Sequence, residues 1–110
     1  MTDTSSNAQA AHLIGVTAQA MLDGSAHYLQ GAIELERLRH LIGAYENDPD
    51  FMAFVGVMAE INSLKLDTDN PNWVERATPA QQNAIVESVA WAKAVSWSQC
   101  QALAERYGLT

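Results

Sequence analysis

The sequence predicts an all-α fold, a four-helix antiparallel bundle with a long C-terminal helix, and three observations support this prediction. Apolar residues recur at spacings of three and four, the period of an amphipathic helix. No segment alternates polar and apolar residues as a half-buried strand does. Short stretches rich in turn residues separate the helical segments at 23–25, 46–50 and 65–77, and short connections favour antiparallel neighbours. We interpret residues 1–110 as a single helical domain.

The first helix is expected from Ala8 to Leu22, after residues 1–8, which we expect to be disordered because they are rich in Ser, Thr, Asn and Asp. The Asp-Gly-Ser sequence at 23–25 has two interpretations. It is compatible with a turn in which Ser25 is the N-cap of the next helix, and with a mild interruption of one long helix.

The second helix is expected over about 26–45 and the third over about 49–64. Asp48 is a good N-cap residue, and Pro49 suits the first position of the third helix. The apolar side of the second helix consists of Tyr28, Leu35, Leu38, Ile42 and Tyr45.

The last helix is expected from Pro79 onward, after an aperiodic loop over 65–77. Thr78 is placed as its N-cap, and Gln81 is placed to complete a capping box. Nothing interrupts the helical pattern before Gly108. The predicted buried seam of this helix consists of Ile85, Val89, Ala92, Ser96, Cys100, Leu103 and Tyr107.

The charge balance is acidic. Thirteen Asp and Glu residues against six Lys and Arg give a net charge of −7 and an isoelectric point near 4.6. The bases are scattered along the chain, so no basic patch is available to neutralise phosphates, and nucleic acid is not an expected partner. Acidity is compatible with a basic partner protein, but a role in solubility alone is the favoured interpretation.

Few charged residues are available to cover the apolar residues. The chain is 48% apolar and 17% charged, against about 25% charged residues in an average protein. We therefore expect an exposed apolar patch and a homodimer. Val86 and Trp97 share a side of the last helix and are the predicted interface residues. The alternative is that Trp97, like Trp91 at the other edge, is only the margin of the core.

The single cysteine, Cys100, and the composition of the N-terminal stretch predict the cellular location. One cysteine cannot form an intrachain disulfide, which fits a reducing compartment, and its place in the apolar seam favours a buried thiol over a nucleophile. The N-terminal stretch has no Lys or Arg, unlike a secretory signal, and no apolar run approaches the ~18 residues of a membrane span. We expect a cytoplasmic protein with no membrane partner.

Glu60 is a lone carboxylate in an apolar stretch of the third helix. One interpretation is a solvent-facing stripe that it shares with Gly56 and Ser63. The other is a partly buried carboxylate, which requires a cationic partner. Arg39 lies beside the apolar side of the second helix, so the sequence predicts an Arg39–Glu60 pair between the two helices.

A small-ligand site at Arg39 and Glu60, lined also by Tyr28 and Trp73, is the alternative function that this pair suggests. No residue is predicted to be catalytic, and no cofactor or metal is expected. A di-iron bundle needs two Glu-x-x-His motifs and two further Glu residues, whereas this chain offers one pair of similar kind, Glu36 with His40.

The stretch "MLDGSAHYLQGAIELERLRHLIGAYENDPDFMAFVGVMAEINSLKL", with the later "NW", resembles a family of short bacterial proteins classed as a domain of unknown function. The resemblance covers roughly residues 20–75 and an FxxFVxIxSETDxLP-type segment of the family. The matching residues are Gly24, Gly31, Arg39, Phe51, Phe54, Val55, Glu60, Leu64 and Trp73. Here Ala-Glu-Ile-Asn stands at 59–62 where the family has Ser-Glu-Thr-Asp, and Lys65 replaces a proline. The resemblance implies an all-helical fold and the Arg39–Glu60 pair, and it implies no activity.

The function predicted from these observations is a protein-interaction or structural module that acts as a homodimer. An immunity-like or antitoxin-like protein that binds a basic effector is a variant of this class. The alternative is a small-molecule-binding or catalytic bundle with its polar site at Arg39 and Glu60. Enzymatic activity is less expected than a role in protein interaction.

Overall fold

The structure is a computed structural model that describes residues 2–43, 48–70 and 72–108, with side chains from residue 8 onward. It confirms the predicted all-α fold with a long C-terminal helix, and no strand occurs in the described residues. The helices are α1 (Thr2–Asp23), α2 (Tyr28–Leu41), α3 (Pro49–Ser63) and α4 (Pro79–Gly108).

The four helices pack as a ring in which each helix contacts the next and α4 closes on α1, while α2 and α4 lie across the diagonal. α1 and α4 are antiparallel. The Cys100 thiol donates a hydrogen bond to the carbonyl oxygen of Ala18 at 3.4 Å, and Gly15, earlier in α1, lies against Gly108 at the end of α4. Since α4 has 30 residues and α1 has 22, this register leaves the N-terminal half of α4 extending past the end of α1.

The core lies between the helices and contains the apolar faces that the sequence predicts. Phe51 and Phe54 of α3 are fully buried, as are Leu35 and Leu38 of α2. The predicted seam of α4 is confirmed, with Val89 and Tyr107 partly buried and the other members buried. Burial of these side chains, at about 25 cal/mol per Å² of apolar surface, is the main force that holds the helices together.

The starts of α3 and α4 follow the predicted capping chemistry. The Asp48 carboxylate accepts a hydrogen bond from the backbone N–H of Asp50 at 3.1 Å, and Pro49 occupies the first turn. The Gln81 N–H donates to the Thr78 hydroxyl at 3.2 Å, and the Thr78 N–H donates to the Gln81 side-chain oxygen at 2.8 Å. This reciprocal pair is a capping box.

The first two helices differ from their predicted boundaries. α1 begins at Thr2, so helical backbone extends through the segment that was expected to be disordered before Ala8. A nucleated helix gains one backbone hydrogen bond for each residue added, and this offsets the weak helix propensity of Ser, Thr and Asn. α2 ends at Leu41, because Gly43 adopts a φ of +75°, a left-handed conformation that commonly terminates a helix. The predicted end at Tyr45 lies outside the described residues.

Residues 23–25 form a turn, and the alternative of one continuous helix is wrong. Ser25 is not the N-cap of α2. Its N–H and hydroxyl both donate to the Asp23 carboxylate, at 2.9 and 2.6 Å, and these bonds close the turn. The N-cap is His27, whose Nδ1 accepts a hydrogen bond from the Leu29 N–H at 3.3 Å. The sequence pattern favours Ser25 because Ser is a more common N-cap residue than His.

Candidate functional site

A chain of hydroxyl groups connects α2 to α4 inside the core. The Tyr28 and Ser96 hydroxyl oxygens lie 2.6 Å apart, and the Ser96 hydroxyl donates to the carbonyl oxygen of Ala92 at 2.6 Å. Since the one Ser96 proton is used in the second bond, Tyr28 is the donor in the first. Burial raises the pKa of Tyr28 to about 12, so the phenol keeps its proton at neutral pH.

The Cys100 thiol lies next to this hydroxyl chain and is fully buried. Burial raises its pKa to about 11, although the neighbouring Tyr28 hydroxyl acts in the opposite direction. The thiolate, which is the nucleophilic form, is therefore scarce at neutral pH. Tyr28, Ser96 and Cys100 form a structural polar cluster that connects α1, α2 and α4.

Trp97 lies at the boundary between this cluster and the surface. Its indole stacks on the Tyr28 ring with centroids 6.2 Å apart and an angle of 15° between the planes. The Lys93 ammonium lies 5.9 Å from the centroid of the same Tyr28 ring. Trp97 is partly buried and packs against the core, whereas Trp91, at the other edge of α4, is 42% exposed.

Val86 is 68% exposed, the highest value among the large apolar side chains of the described residues. Trp97 lies eleven positions after Val86 in the sequence. At about 100° per residue, the two side chains are therefore about 20° apart around the helix. We define the α4 strip as six of the incompletely buried residues on this side of the helix: Gln82, Val86, Ala90, Lys93, Trp97 and Gln101. The strip contains no carboxylate. The structure thus places both predicted interface residues on one continuous side of α4.

Arg39 is buried, as the sequence predicts, but its partner differs from the prediction. Its guanidinium donates to both carboxylate oxygens of Glu36, at 2.8 and 3.0 Å. The His40 Nε2 also lies 3.2 Å from Glu36. Burial alone would raise the pKa of Glu36, but the hydrogen bonds from Arg39 and His40 hold it below its usual value. The predicted Arg39–Glu60 pair is wrong, because a carboxylate three residues away on the same helix reaches the guanidinium without bridging two helices.

Glu60 lies on the side of α3 that faces α4. It is partly buried and accepts a hydrogen bond from the Ser88 hydroxyl at 2.8 Å. Ser88 itself is buried. The interpretation of Glu60 as a partly buried carboxylate therefore holds, with a neutral hydroxyl in place of the predicted cation, while Gly56 and Ser63 are exposed.

Trp73 attaches the loop between α3 and α4 to the start of α2. It is 3% exposed, and its indole N–H donates to the Gln30 side-chain oxygen at 2.6 Å. Its ring meets that of His27 edge to face at 5.4 Å. Burial lowers the pKa of His27, an effect that Lys93 reinforces and Glu75 opposes.

The four predicted ligand-binding residues do not form one site. Tyr28 and Trp73 both lie at the N-terminal end of α2. Arg39 lies near the other end of that helix, about 17 Å away along the axis at about 1.5 Å per residue. Glu60 faces α4 on a different helix. The sequence did not indicate Gln30 as a partner of Trp73, because a residue on the polar side of a helix carries no sign of its tertiary partner.

The described surface includes two cavities of different size. The larger, of about 740 Å³, is a groove between α1 and α4 with Val16, Leu22 and Ala104 among its lining residues, together with Asp23 and Glu105. The smaller, of about 210 Å³, lies between the α3–α4 loop and the start of α4. Its lining includes Trp73 and the basic residues Lys65 and Arg76.

Neither a metal cluster nor a membrane span is found in the described part of the chain. No group of three or more His, Cys, Asp or Glu side chains there could hold a metal ion. None of the described helices combines the length and the hydropathy needed to cross a bilayer.

Comparisons with family models, with curated proteins and with solved structures find no match to this chain. The resemblance to a family of short bacterial proteins stays a prediction.

Proposed function

We propose that this chain is a protein-interaction module that works as a homodimer, with the α4 strip as its dimer interface. The observation that carries the proposal is that the strip is complementary to itself. In a two-fold dimer, a residue of one copy that contacts a second residue of the other copy implies the reverse contact as well, so the interface pairs each surface with itself. The spacing of the strip residues along α4 satisfies this requirement.

Two antiparallel copies of α4 can be aligned with Val86 opposite Trp97 of the partner subunit. The same alignment then pairs every other residue of the strip, because their spacing is symmetric about the point between Trp91 and Ala92. The facing pairs are Val86 with the partner's Trp97, Ala90 with the partner's Lys93, and Gln82 with the partner's Gln101. Small Ala90 side chains near the axis allow close approach, and the glutamines at the ends can exchange hydrogen bonds.

Charge also supports this side of α4 as the contact. Two copies of a protein with a net charge of −7 repel each other. The α4 strip has no carboxylate and its one charged residue is Lys93, so the acidic side chains that cause this repulsion lie outside the strip. In the antiparallel alignment the start of the partner's α4 falls beside Ala104, next to the groove that Asp23 and Glu105 line. Carboxylates near a helix N-terminus interact favourably with its dipole.

The chemistry of the buried groups favours binding over catalysis. Burial raises the pKa of Tyr28 and of Cys100, so both stay protonated and unreactive at neutral pH. The acidic surface outside the α4 strip suits a basic protein as the partner of the dimer. An immunity-like or antitoxin-like binder of a basic effector has this charge relation.

Light scattering coupled to size-exclusion chromatography tests the dimer. We expect wild-type protein to elute with twice the chain mass of 12.0 kDa and Val86→Asp to elute as a monomer. Val95→Asp is the matched control, since Val95 is also exposed, at 42%, but lies about 180° around α4 from Val86. The control should remain a dimer.

A monomeric wild type at high micromolar concentration contradicts the proposal, as does a Val86→Asp variant that remains dimeric. Equal dissociation of Val86→Asp and Val95→Asp would point to a different surface. Trp97→Asp is a less specific variant, because it also removes the stack on Tyr28 and weakens the monomer itself.

A further inference from the structure

The basic residues of this chain divide into those with a partner and those without one. Four interact with a carboxylate or an aromatic ring: Arg37 with Glu34, Arg39 with Glu36, Arg106 with Asp48 and Asp50, and Lys93 with the Tyr28 ring. The other two, Lys65 and Arg76, form no ion pair within residues 2–43, 48–70 and 72–108. The chain has thirteen acidic residues, yet none of those in the described part pairs with Lys65 or Arg76.

Lys65 and Arg76 line the same cavity, the one of about 210 Å³ beside the start of α4. Trp73 provides a fixed apolar wall, because its indole N–H is bound to Gln30. Asp67 also lines the cavity, so two positive charges face one negative charge. The cavity is therefore positive within a protein whose net charge is negative.

The backbone of Lys65 adds an independent observation. Lys65 has a φ of +55°, and no other non-glycine residue of the described chain has a positive φ. It follows Leu64, the C-cap of α3, at a position where glycine is strongly preferred because it has no Cβ. A side chain kept in a strained conformation in place of glycine indicates a role for that side chain.

We propose that this cavity binds a small oxyanion, a short carboxylate or a phosphate group, through Lys65 and Arg76. The planar guanidinium of Arg76 matches two oxygens of either group, and Lys65 supplies a point charge. Drug-sized ligands occupy about 300–1,000 Å³, so a cavity of this size suits a ligand of only a few heavy atoms. Asp67 disfavours highly charged ligands. None of the residues that line the cavity belongs to the α4 strip, so the variants that test the cavity leave the strip unchanged.

Titration of isotope-labelled wild-type protein with succinate and with inorganic phosphate, followed by NMR at constant ionic strength, tests the site. We expect saturable shifts of the Lys65 and Arg76 amide signals and of the Trp73 indole N–H. The anion that binds more tightly identifies the ligand class. Arg76→Gln should weaken binding about tenfold, the effect of losing one charge-assisted hydrogen bond. Arg37→Gln, a change to an exposed arginine on α2, is the control and should bind like wild type.

Lys65→Gly separates a ligand-binding role from a structural one. Glycine relieves the strain at positive φ, so the midpoint of thermal unfolding should rise by about 4 °C while anion affinity falls about tenfold. A structural role for Lys65 predicts a lower midpoint. The proposal is overturned by shifts that do not saturate, by shifts spread over other basic residues, or by a Lys65→Gly or Arg76→Gln variant that binds like wild type.

Discussion

Gly15 allows α1 and α4 to cross with their backbones in contact, and adding one methyl group there should destabilise the protein. A Cβ built on Gly15 would lie 2.5 Å from the backbone N of Gly108 and 2.5 Å from the backbone C of Tyr107. Ordinary van der Waals contact begins at 3.4 Å. The Gly15→Ala variant therefore has to separate the two helices by about 1 Å, because backbone atoms cannot rotate away as a side chain can.

The magnitude follows from two opposing effects. Replacing glycine by alanine inside a helix stabilises it by about 1 kcal/mol. Overpacking of a close contact costs about 1–3 kcal/mol, and a clash with backbone belongs at the upper end. We expect Gly15→Ala to lower the free energy of unfolding by about 2 kcal/mol. Gly56 is the matched control, because it also lies in a helix but has nothing within 4 Å of its added Cβ. Gly56→Ala should raise the free energy of unfolding by about 0.5–1 kcal/mol.

Urea unfolding followed by circular dichroism measures both variants under one set of conditions. The midpoints should move in opposite directions with unchanged slopes, since neither substitution alters the surface exposed on unfolding. A Gly15→Ala variant as stable as wild type would refute the close crossing of α1 and α4. Loss of stability in Gly56→Ala would show that this reasoning about free space is wrong.

Three further predictions concern the buried polar groups. Ser96→Ala leaves the Tyr28 hydroxyl without its acceptor and should lower the free energy of unfolding by about 1–3 kcal/mol. The double variant with Tyr28→Phe removes both hydroxyl groups. In urea melts it should be more stable than Ser96→Ala alone. Folding raises the pKa of Tyr28 from 10.0 to about 12. The contribution of the protonated phenol to stability is therefore complete below pH 10 and is lost as the pH rises toward 12. Between these pH values, melts of Tyr28→Phe should show a smaller loss of stability than melts of wild type. Glu36→Ala should lower the free energy of unfolding by about 1–3 kcal/mol, because the Arg39 side chain that Glu36 binds is 3% exposed. Glu34→Ala breaks an exposed pair and should lower it by less than about 0.5 kcal/mol. Equal losses in the two glutamate variants would contradict the argument from burial.

The resemblance to a family of short bacterial proteins implied the Arg39–Glu60 pair, and the structure does not form that pair. The implied all-helical fold agrees with the observed one. An all-helical fold alone does not distinguish one family from another. The four-helix arrangement is therefore supported here by the packing of this chain.

The sequence determined the features that depend on neighbouring residues. The capping box of Thr78 and Gln81 and the cap at Asp48 arise within one helical turn, so their residue types are sufficient to predict them. The buried seam of α4 follows from helical period alone. The burial of Arg39 was also readable from its position around α2. Each of these features depends on residues of a single helix, whose relative positions are fixed by helical geometry.

Only the tertiary structure decided which side chains meet across helices. Arg39 had a local acceptor in Glu36 and a distant one in Glu60, and the rotation of α3 turned Glu60 toward Ser88 on α4. That rotation results from the packing of many side chains at once, and no short segment of sequence encodes it. The cavity that Lys65 and Arg76 share has the same origin, because the loop that brings them together is positioned by its contacts with α2. Local chemistry sets where helices begin and which side is buried, and collective packing sets the partners.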